Sequence, residues 1–292
     1  MNLGDKYKLC VKSLEGHSDS PELDTSLFFE EVCSLTKSAL VLHASAPLKD
    51  EDEKKIDSLV SRRLNGEPVA YILGHKGFYK AEFCTPKGVL IPQPDTETLV
   101  ESTLSASLTF PDKEELHLLD LCAGTGCVGI SVAMELYKNK TVELYLSDMS
   151  EEAYLSFSKN AKALLPSAVK THLILSDLFE GVKGKKFQII TSNPPYIKTE
   201  VIDTLSPEVK AEPLLALDGG EDGLVLIRRI ISEAPSFLAQ GGYLLLEIGY
   251  DQGEEVKKLF TDNHFTDVEI KKDLGGRDRV VLGKVSSCQK GL

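Results

Sequence analysis

Apolar residues in the first 70 positions recur at helical spacing, and no β-rich pattern interrupts them. One predicted helix carries its apolar stripe at four positions: Phe28, Val32, Leu35 and Ala39. Asp50 and Glu53 resemble a capping box at the start of another helix, and Asn65-Gly66 is typical of its end. The stripe of that helix comprises Ile56, Leu59, Val60 and Leu64. The pattern therefore predicts a helical N-terminal region.

A short β-like section follows the helical region. Residues 77–91 alternate aromatic and polar side chains around Pro86-Lys87-Gly88, which predicts a β-hairpin with its turn at that tripeptide. Residues 92–106 begin with prolines and acidic residues and continue with the pattern of a helix. We therefore expect a hairpin and a linking helix before the next pattern begins.

From about residue 115 the chain alternates predicted strands and helices, which is typical of an α/β fold with a parallel sheet covered on both faces. Five buried strands are predicted at 116–123, 142–148, 171–177, 187–196 and 241–250. Helical stretches separate most of them, for example 128–140 and 223–240. Two last strands, 266–273 and 278–285, are joined by Leu274-Gly275-Gly276. A link that short cannot form a parallel crossover, so these two strands are predicted to form an antiparallel hairpin.

Composition narrows the classes of function. The 33 basic and 45 acidic residues give a net charge of −12, and no basic run suggests a nucleic-acid footprint. No apolar run is long enough to span a membrane, and the N-terminus lacks the apolar centre of a signal peptide, so a cytoplasmic protein is expected. The six cysteines form no CxxC pair and the histidines form no metal-binding pattern, so no metal is predicted.

A glycine-rich turn follows the first strand of the sheet. Gly124, Gly126 and Gly129 spell GxGxxG between a strand and a helix, and Asp148 ends the next strand about 20 residues later. This pattern fits both a nicotinamide dinucleotide and S-adenosylmethionine, because both ligands need a close backbone approach and carry ribose hydroxyls. Asp120, which precedes the glycines, is poorly placed against a pyrophosphate but suits the ammonium and sulfonium of S-adenosylmethionine.

The third strand supplies candidate contacts for an adenine ring. Asp177 is predicted to accept a hydrogen bond from the adenine amino group, and Leu178 and Phe179 to pack against the ring. The alternative for Asp177, and also for Asp148, is a structural role as the N-cap of the following helix.

The fourth strand ends in Asn193-Pro194-Pro195-Tyr196, at the sheet edge where ligands bind in this architecture. The Asn193 side-chain oxygen and the Pro194 carbonyl can accept the two hydrogens of an NH2 group, and the Tyr196 ring can lie against its π face. An amide nitrogen is a poor nucleophile, so two acceptors that orient it and raise its electron density favour methyl transfer without a catalytic histidine or metal. The alternative is a rigid turn with no chemical role.

These residues resemble a known family. Asn193-Pro194-Pro195-Tyr196 is similar to the motif of amino methyltransferases that act on exocyclic or amide nitrogens. Further motifs resemble the release factor glutamine methyltransferases (the PrmC/HemK family): Gly66-Glu67-Pro68-Val69, Tyr71-Ile72-Leu73-Gly74, Leu90-Ile91-Pro92-Gln93-Pro94-Asp95-Thr96-Glu97, Glu212-Pro213, Ala216-Leu217, Gly219-Gly220, Asp222-Gly223-Leu224, Glu247-Ile248-Gly249 and Gly276-Arg277-Asp278-Arg279. The likeness covers nearly the whole chain from about residue 55, with one departure, Gln93 where the family usually has arginine.

The resemblance implies an activity and a set of sites. The family transfers a methyl group from S-adenosylmethionine to the glutamine amide in the Gly-Gly-Gln motif of class 1 peptide chain release factors, leaving S-adenosylhomocysteine. Eight residues are implied to line the cofactor: Cys122, Ala123, Gly124, Thr125, Gly126, Asp148, Leu178 and Asn193. Asp120 and Asp177 are expected to contact it as well, for the chemical reasons given above. The glutamine is implied to lie against Asn193, Pro194, Pro195 and Tyr196.

The resemblance also implies a domain organisation. It implies a helical substrate-recognition domain at 1–75, a hairpin and linker helix at 76–110, and a Rossmann-like class I methyltransferase domain at 111–292 with seven strands. The long section between Tyr196 and Leu224 is expected to help cover the substrate. We expect a monomer. The alternatives are a ribosomal-protein glutamine methyltransferase, a nucleic-acid amino methyltransferase, and a catalytically silent module that binds release factors.

Overall fold

The computed structural model describes residues 1–111 and 114–286, so Cys288 lies outside the described residues. The chain divides into two compact units. The first consists of Met1–His75 with Ser206–Ala211, and the second of Lys76–Leu205 with Glu212–Leu292. Among the described residues, no helix has both the length and the apolar character that crossing a membrane requires.

Helices and strands are numbered in chain order over the described residues. The α-helices are α1 (Leu3–Leu14), α2 (Pro21–Cys33), α3 (Lys37–Leu42), α4 (Asp50–Leu64), α5 (Val69–Leu73), α6 (Glu97–Ser107), α7 (Cys127–Leu136), α8 (Glu151–Leu164), α9 (Thr199–Ile202), α10 (Pro207–Lys210), α11 (Leu214–Leu217), α12 (Val225–Glu233) and α13 (Gly253–Asp262). The strands are β1 (His75–Phe78), β2 (Ala81–Cys84), β3 (Leu116–Leu121), β4 (Val142–Asp148), β5 (Lys170–Leu175), β6 (Phe187–Ser192), β7 (Leu238–Glu247), β8 (Phe265–Lys272) and β9 (Asp278–Val285).

The first unit is helical, in agreement with its apolar pattern, but two local predictions were wrong. The stripe that began at Phe28 does not belong to one helix, because Ser34 adopts a left-handed conformation (φ 57°) and ends α2 before Leu35. The predicted capping box at Asp50 does not form either. Lys49 is the N-cap of α4 and Asp50 is its first helical residue, where a negative charge interacts favourably with the helix dipole.

The second unit is built on a seven-stranded sheet with the order β5-β4-β3-β6-β7-β9-β8. Strands β3 to β7 are parallel, and β9 pairs antiparallel with both β7 and β8. The predicted α/β fold and the predicted antiparallel hairpin are confirmed. The strand order reverses between β3 and β6, so the carboxyl ends of these strands frame the crevice where ligands bind in open parallel sheets.

Two boundaries in the second unit differ from the prediction. The hairpin of β1 and β2 turns at Tyr79 and Lys80, where Tyr79 has a φ of 54°, rather than at Pro86-Lys87-Gly88, which follows β2. The predicted helix at 223–240 ends as α12 at Glu233, since Pro235 belongs to a short 3-10 turn and has no N–H to continue the helix. Leu238 then begins β7.

Candidate active site

A cavity of about 320 Å³ opens at the carboxyl ends of the central strands, and all of its wall belongs to the second unit. Ten of the residues predicted from the sequence line it: Asp120, Cys122, Ala123, Gly124, Thr125, Asp148, Asp177, Leu178, Asn193 and Pro195. Gly126, Pro194 and Tyr196 lie outside this wall. The sheet thus gathers the glycine turn, two strand-end acidic residues and Asn193 around one space.

The glycine turn needs glycine for two physical reasons. Gly124 and Gly126 have φ values of 57° and 76°, in the left-handed region that side chains rarely adopt. At Gly129 the reason is space, because a Cβ would lie 2.8 Å from Leu146 and 3.0 Å from the Asp120 side chain. The backbone of this turn can therefore approach both the sheet and the cavity closely.

Asp148 ends β4 with its carboxylate fixed by two backbone donors. The Gly124 N–H donates to Oδ2 at 2.9 Å, and the Ser150 N–H donates to Oδ1 at 3.0 Å. Burial raises the pKa of Asp148, and these hydrogen bonds oppose the rise. The alternative role as a helix N-cap is wrong, because Ser150 caps α8. The carboxylate is instead held in place in the cavity wall as a hydrogen-bond acceptor.

Asp120 is almost fully buried at the end of β3. Its Oδ2 accepts the Gly129 N–H at 2.9 Å, and its Oδ1 accepts the Thr191 hydroxyl at 3.0 Å. Burial raises the pKa of Asp120 to about 7, although both hydrogen bonds favour the ionised form. A cation bound beside Asp120 in the cavity, such as the ammonium predicted for the cofactor, would favour the ionised form of Asp120 further.

The residues after β5 fit the adenine prediction only in part. Leu178 lines the cavity, but Phe179 was predicted wrongly, because it is buried and stacks on Phe237 with ring centroids 4.5 Å apart. Asp177 lines the cavity and pairs with Arg229, at 3.0 and 3.3 Å. Its alternative as a helix N-cap is wrong, since only a 3-10 turn with Phe179 at its N-cap follows.

The Asn-Pro-Pro-Tyr turn leaves the sheet at the end of β6. Asn193 Nδ2 donates to the Thr96 hydroxyl at 3.3 Å, which leaves Asn193 Oδ1 as the acceptor of that side chain. The Tyr196 hydroxyl donates to Glu247 Oε1 at 3.3 Å, and Gln252 Nε2 donates to the Tyr196 carbonyl at 3.0 Å. The turn is therefore held at both ends by side chains of the same unit.

Two glycines that follow the turn, Gly219 and Gly223, pack directly against it. A Cβ on Gly219 would lie 2.8 Å from Tyr196 Cα, and one on Gly223 would lie 2.4 Å from the Tyr196 carbonyl oxygen. The Gly219 N–H donates to the Ile197 carbonyl at 2.8 Å, which fastens this part of the long connection to the turn. Six residues of the same connection line the cavity: Pro213, Leu215, Ala216, Asp218, Gly219 and Gly220. Its predicted role in covering a substrate stays a prediction.

Three buried polar residues beside the cavity had no assigned role in the sequence analysis. Glu212 Oε2 accepts the Ile91 N–H at 2.8 Å, and burial raises the pKa of Glu212 to about 7. Thr96, which lines the cavity, bonds Asn193, and Glu247 bonds Tyr196; each of the two is 2% exposed. A glutamate that ends an apolar strand, as Glu247 does, is the sequence signal that could have marked it.

The chain is similar to characterised proteins along most of its length. The family described as the PrmC N-terminal domain matches residues 7–74, and the methyltransferase small domain matches residues 97–208. The release factor glutamine methyltransferase of Caulobacter vibrioides is 39% identical over 266 residues, covering 91% of this chain and 90% of that protein. That of Neisseria gonorrhoeae is 38% identical over 269 residues, covering 92% and 95%. A solved structure of the hMettl16 catalytic domain in complex with MAT2A 3′UTR hairpin 6 shares the fold, with a TM-score of 0.54, 12% identity and 84% of each chain covered.

Proposed function

The chain belongs to the release factor glutamine methyltransferase family, and on this premise we propose that it methylates the glutamine side chain of the Gly-Gly-Gln motif in class 1 peptide chain release factors. The methyl donor is S-adenosylmethionine and the product is S-adenosylhomocysteine. We place the reaction in the cytoplasm, where release factors act on ribosomes. We further propose that the helical domain at 1–75 recognises the release factor, that 76–110 links it to the transferase domain at 111–292, and that the enzyme is a monomer.

One observation carries this proposal. Asn193, whose amide NH2 is bonded to Thr96, lines the same cavity as the glycine turn and the fixed carboxylate of Asp148. A methyl donor and an acceptor amide must share one space for transfer to occur in line. The cavity offers backbone and carboxylate groups for the first and an amide oxygen for the second.

The residues present fit S-adenosylmethionine. The turn from Cys122 to Gly126 allows a ligand to approach its backbone closely because its glycines have no side chains. In the proposal, Asp148 accepts from the ribose hydroxyls, and Asp120 attracts the ammonium group. Leu178 packs on the adenine, and Asp177 accepts from its amino group while it also pairs with Arg229. Bound there, the cofactor supplies an electrophilic methyl group.

The chain's own contribution to the reaction is orientation of the target amide. Asn193 Oδ1 and the Pro194 carbonyl accept its two N–H hydrogens, which fixes the direction of the nitrogen and raises its electron density. The two prolines have no N–H of their own and keep the turn stiff, so the acceptors stay in place. The ring of Tyr196, held by its hydroxyl on Glu247, lies against the face of the amide in this proposal.

The test incubates the purified chain with labelled S-adenosylmethionine and a class 1 release factor, and maps the modified residue by mass spectrometry. We expect one methyl group on the glutamine of the Gly-Gly-Gln motif. Parallel reactions with ribosomal protein and with DNA or RNA test the two alternative transferases. Label that enters either alternative in preference to the release factor would contradict the proposal.

Two variants separate the proposed roles. Asn193→Ala is expected to abolish transfer while S-adenosylmethionine binding, measured by calorimetry, largely survives. Asn263→Ala, at the C-terminus of α13 on the same unit, is the matched control for loss of an asparagine amide. Undiminished turnover by Asn193→Ala would contradict the role of its oxygen. A wild-type chain that binds no S-adenosylmethionine would instead support the silent binding module.

A further inference from the structure

The position of Asn193 does not by itself decide which end of its side-chain amide faces the cavity. An asparagine side chain can present either its oxygen, an acceptor, or its NH2 group, a donor, to the same space. The target glutamine presents an NH2 group, so only the oxygen of Asn193 can help to bind it. A group outside the amide must therefore decide which end of Asn193 faces the cavity.

Thr96 is the direct partner of that amide. Its hydroxyl accepts from Asn193 Nδ2 at 3.3 Å, and the side chain is buried. A hydroxyl carries only one hydrogen, and this hydrogen can be donated either back towards Asn193 or away from it. If the hydrogen is donated elsewhere, Thr96 can only accept from Asn193, and the NH2 end must face Thr96.

Glu247 is the acceptor on the other side of Thr96. The Thr96 hydroxyl lies near enough to the Glu247 carboxyl group to lower the pKa of Glu247 against the effect of burial. Glu247 Oε1 already accepts from Tyr196, whereas Oε2 is buried and accepts no hydrogen bond from any residue that the structure describes. Turning the Thr96 hydrogen towards Oε2 gives that oxygen a donor, and an ionised carboxylate can only accept.

We propose that Glu247, acting through the Thr96 hydroxyl, fixes the Asn193 amide with its oxygen towards the target glutamine. This inference rests on the proposed function, because it concerns how the same site recognises its substrate. Glu247 and Thr96 are positioning residues in this scheme, since Glu247 lies outside the cavity wall and Thr96, which lines the cavity, acts on the substrate through Asn193. The direction of hydrogen bonding runs from Asn193 to Thr96 and from Thr96 to Glu247.

The surroundings of Glu247 bear on its charge. Burial raises the pKa of Glu247 to about 7, while the Thr96 and Tyr196 hydroxyls and the nearby Arg279 favour the ionised form and Asp95 opposes it. Arg279 is itself buried and pairs with Asp95 at 3.0 Å. A buried carboxylate with two hydroxyl donors and a guanidinium nearby can retain its negative charge, which the proposed direction of hydrogen bonding requires.

Glu247→Gln is expected to reverse the direction of these hydrogen bonds without changing the shape of the side chain. Its NH2 group can donate to Thr96, which frees the Thr96 hydrogen to bond Asn193 Oδ1 and turns the Asn193 NH2 towards the substrate. We expect the kcat for release factor to fall on the order of 100-fold, as when one preorganised partner of a reacting group is lost. S-adenosylmethionine affinity should stay within about threefold, because the substituted residue, Glu247, does not line the cavity.

Thr96→Val and Thr96→Ser form a matched pair that does not depend on Glu247. Valine keeps the shape of threonine but removes the hydroxyl, whereas serine keeps the hydroxyl. We expect Thr96→Val to lose as much kcat as Glu247→Gln and Thr96→Ser to recover most of that loss. Thr261→Val on the exposed surface of α13 controls for the substitution itself. A serine variant as slow as the valine variant, or a valine variant as fast as the wild type, would overturn the proposal.

A readout of orientation that needs no turnover keeps this proposal separate from the function. Nuclear Overhauser effects between the Asn193 NH2 hydrogens and the Thr96 methyl group are measured with 15N-asparagine label and bound S-adenosylhomocysteine. We expect them in the wild type and expect their loss in Glu247→Gln. Their persistence in Glu247→Gln, or their absence from the wild type, would overturn the proposal. Failure of the wild type to methylate release factor would contradict only the proposed function.

Discussion

Replacing Asp148 by asparagine tests how one carboxylate contributes to cofactor binding. Asp148 accepts one backbone N–H on each oxygen, from Gly124 at 2.9 Å and from Ser150 at 3.0 Å. Asparagine keeps only one acceptor oxygen, so one of these N–H groups must face an NH2 group. The same change replaces the charged acceptor that we assign to the ribose by a neutral one.

The two consequences have different magnitudes and different readouts. Leaving a buried N–H without its acceptor costs about 1–3 kcal/mol, and this cost falls on the folded protein with or without cofactor. Losing a hydrogen bond from the ribose to a charged group costs a further ~1.5–3 kcal/mol in the complex alone. Because ~1.4 kcal/mol corresponds to a tenfold change, we expect cofactor affinity to fall about 10- to 150-fold.

Calorimetry with S-adenosylmethionine and with S-adenosylhomocysteine provides the assay. Both ligands carry the same ribose, so both affinities should fall by the same factor, and urea unfolding should report the smaller stability. Asp267→Asn, exposed on β8 at the opposite edge of the sheet from β5, is the control and should change neither affinity. A folded Asp148→Asn protein that binds both ligands as tightly as the wild type would refute the assignment of Asp148 to the ribose.

Three further outcomes follow from the contacts described above. S-adenosylmethionine affinity should rise about tenfold between pH 6 and pH 8, because burial raises the pKa of Asp120 to about 7 and only the ionised carboxylate attracts the ammonium. An affinity independent of pH would argue against that contact. Gly223→Ala should lower both Tm and transfer, since its Cβ would lie 2.4 Å from the Tyr196 oxygen. Gly184→Ala, at a similar positive φ in open space, should lower Tm by the backbone strain alone and leave transfer unchanged. Arg63→Met should cost about 3–5 kcal/mol of unfolding free energy in urea, because it leaves a buried carboxylate of the first unit unpaired; a cost below ~1 kcal/mol would contradict this.

The sheet and the glycine turn could be predicted because their causes are local. Strands buried on both faces carry continuous apolar runs, and a link of only five residues (273–277) between the last two strands leaves only an antiparallel pairing. Gly124 and Gly126 are required by their own backbone conformation, so their spacing alone marks the turn. Asp148 was predictable for the same reason, because a strand end in a parallel sheet fixes where its side chain lies.

The remaining contacts depend on residues far apart in the chain. The pairing of Asp177 with Arg229 and the stacking of Phe179 on Phe237 each join segments more than 50 positions apart, and no local pattern encodes them. The hydrogen bond from Asn193 to Thr96 spans 97 positions. The turn of the first hairpin was misplaced because Pro-Lys-Gly is the stronger turn sequence, while the chain turns earlier at a tyrosine in a left-handed conformation.

The assignment of Ser206–Ala211 to the first unit has a practical consequence for dissecting this protein. Glu208 in this segment pairs with Arg63, so the helical unit draws one of its ion-pair partners from a stretch encoded more than 130 codons downstream. A fragment truncated after residue 75 would lack that partner, and the complementary fragment would carry the segment without its neighbours. A fragment truncated after residue 75 therefore encodes only part of the first unit, and experiments on recognition should use the intact chain.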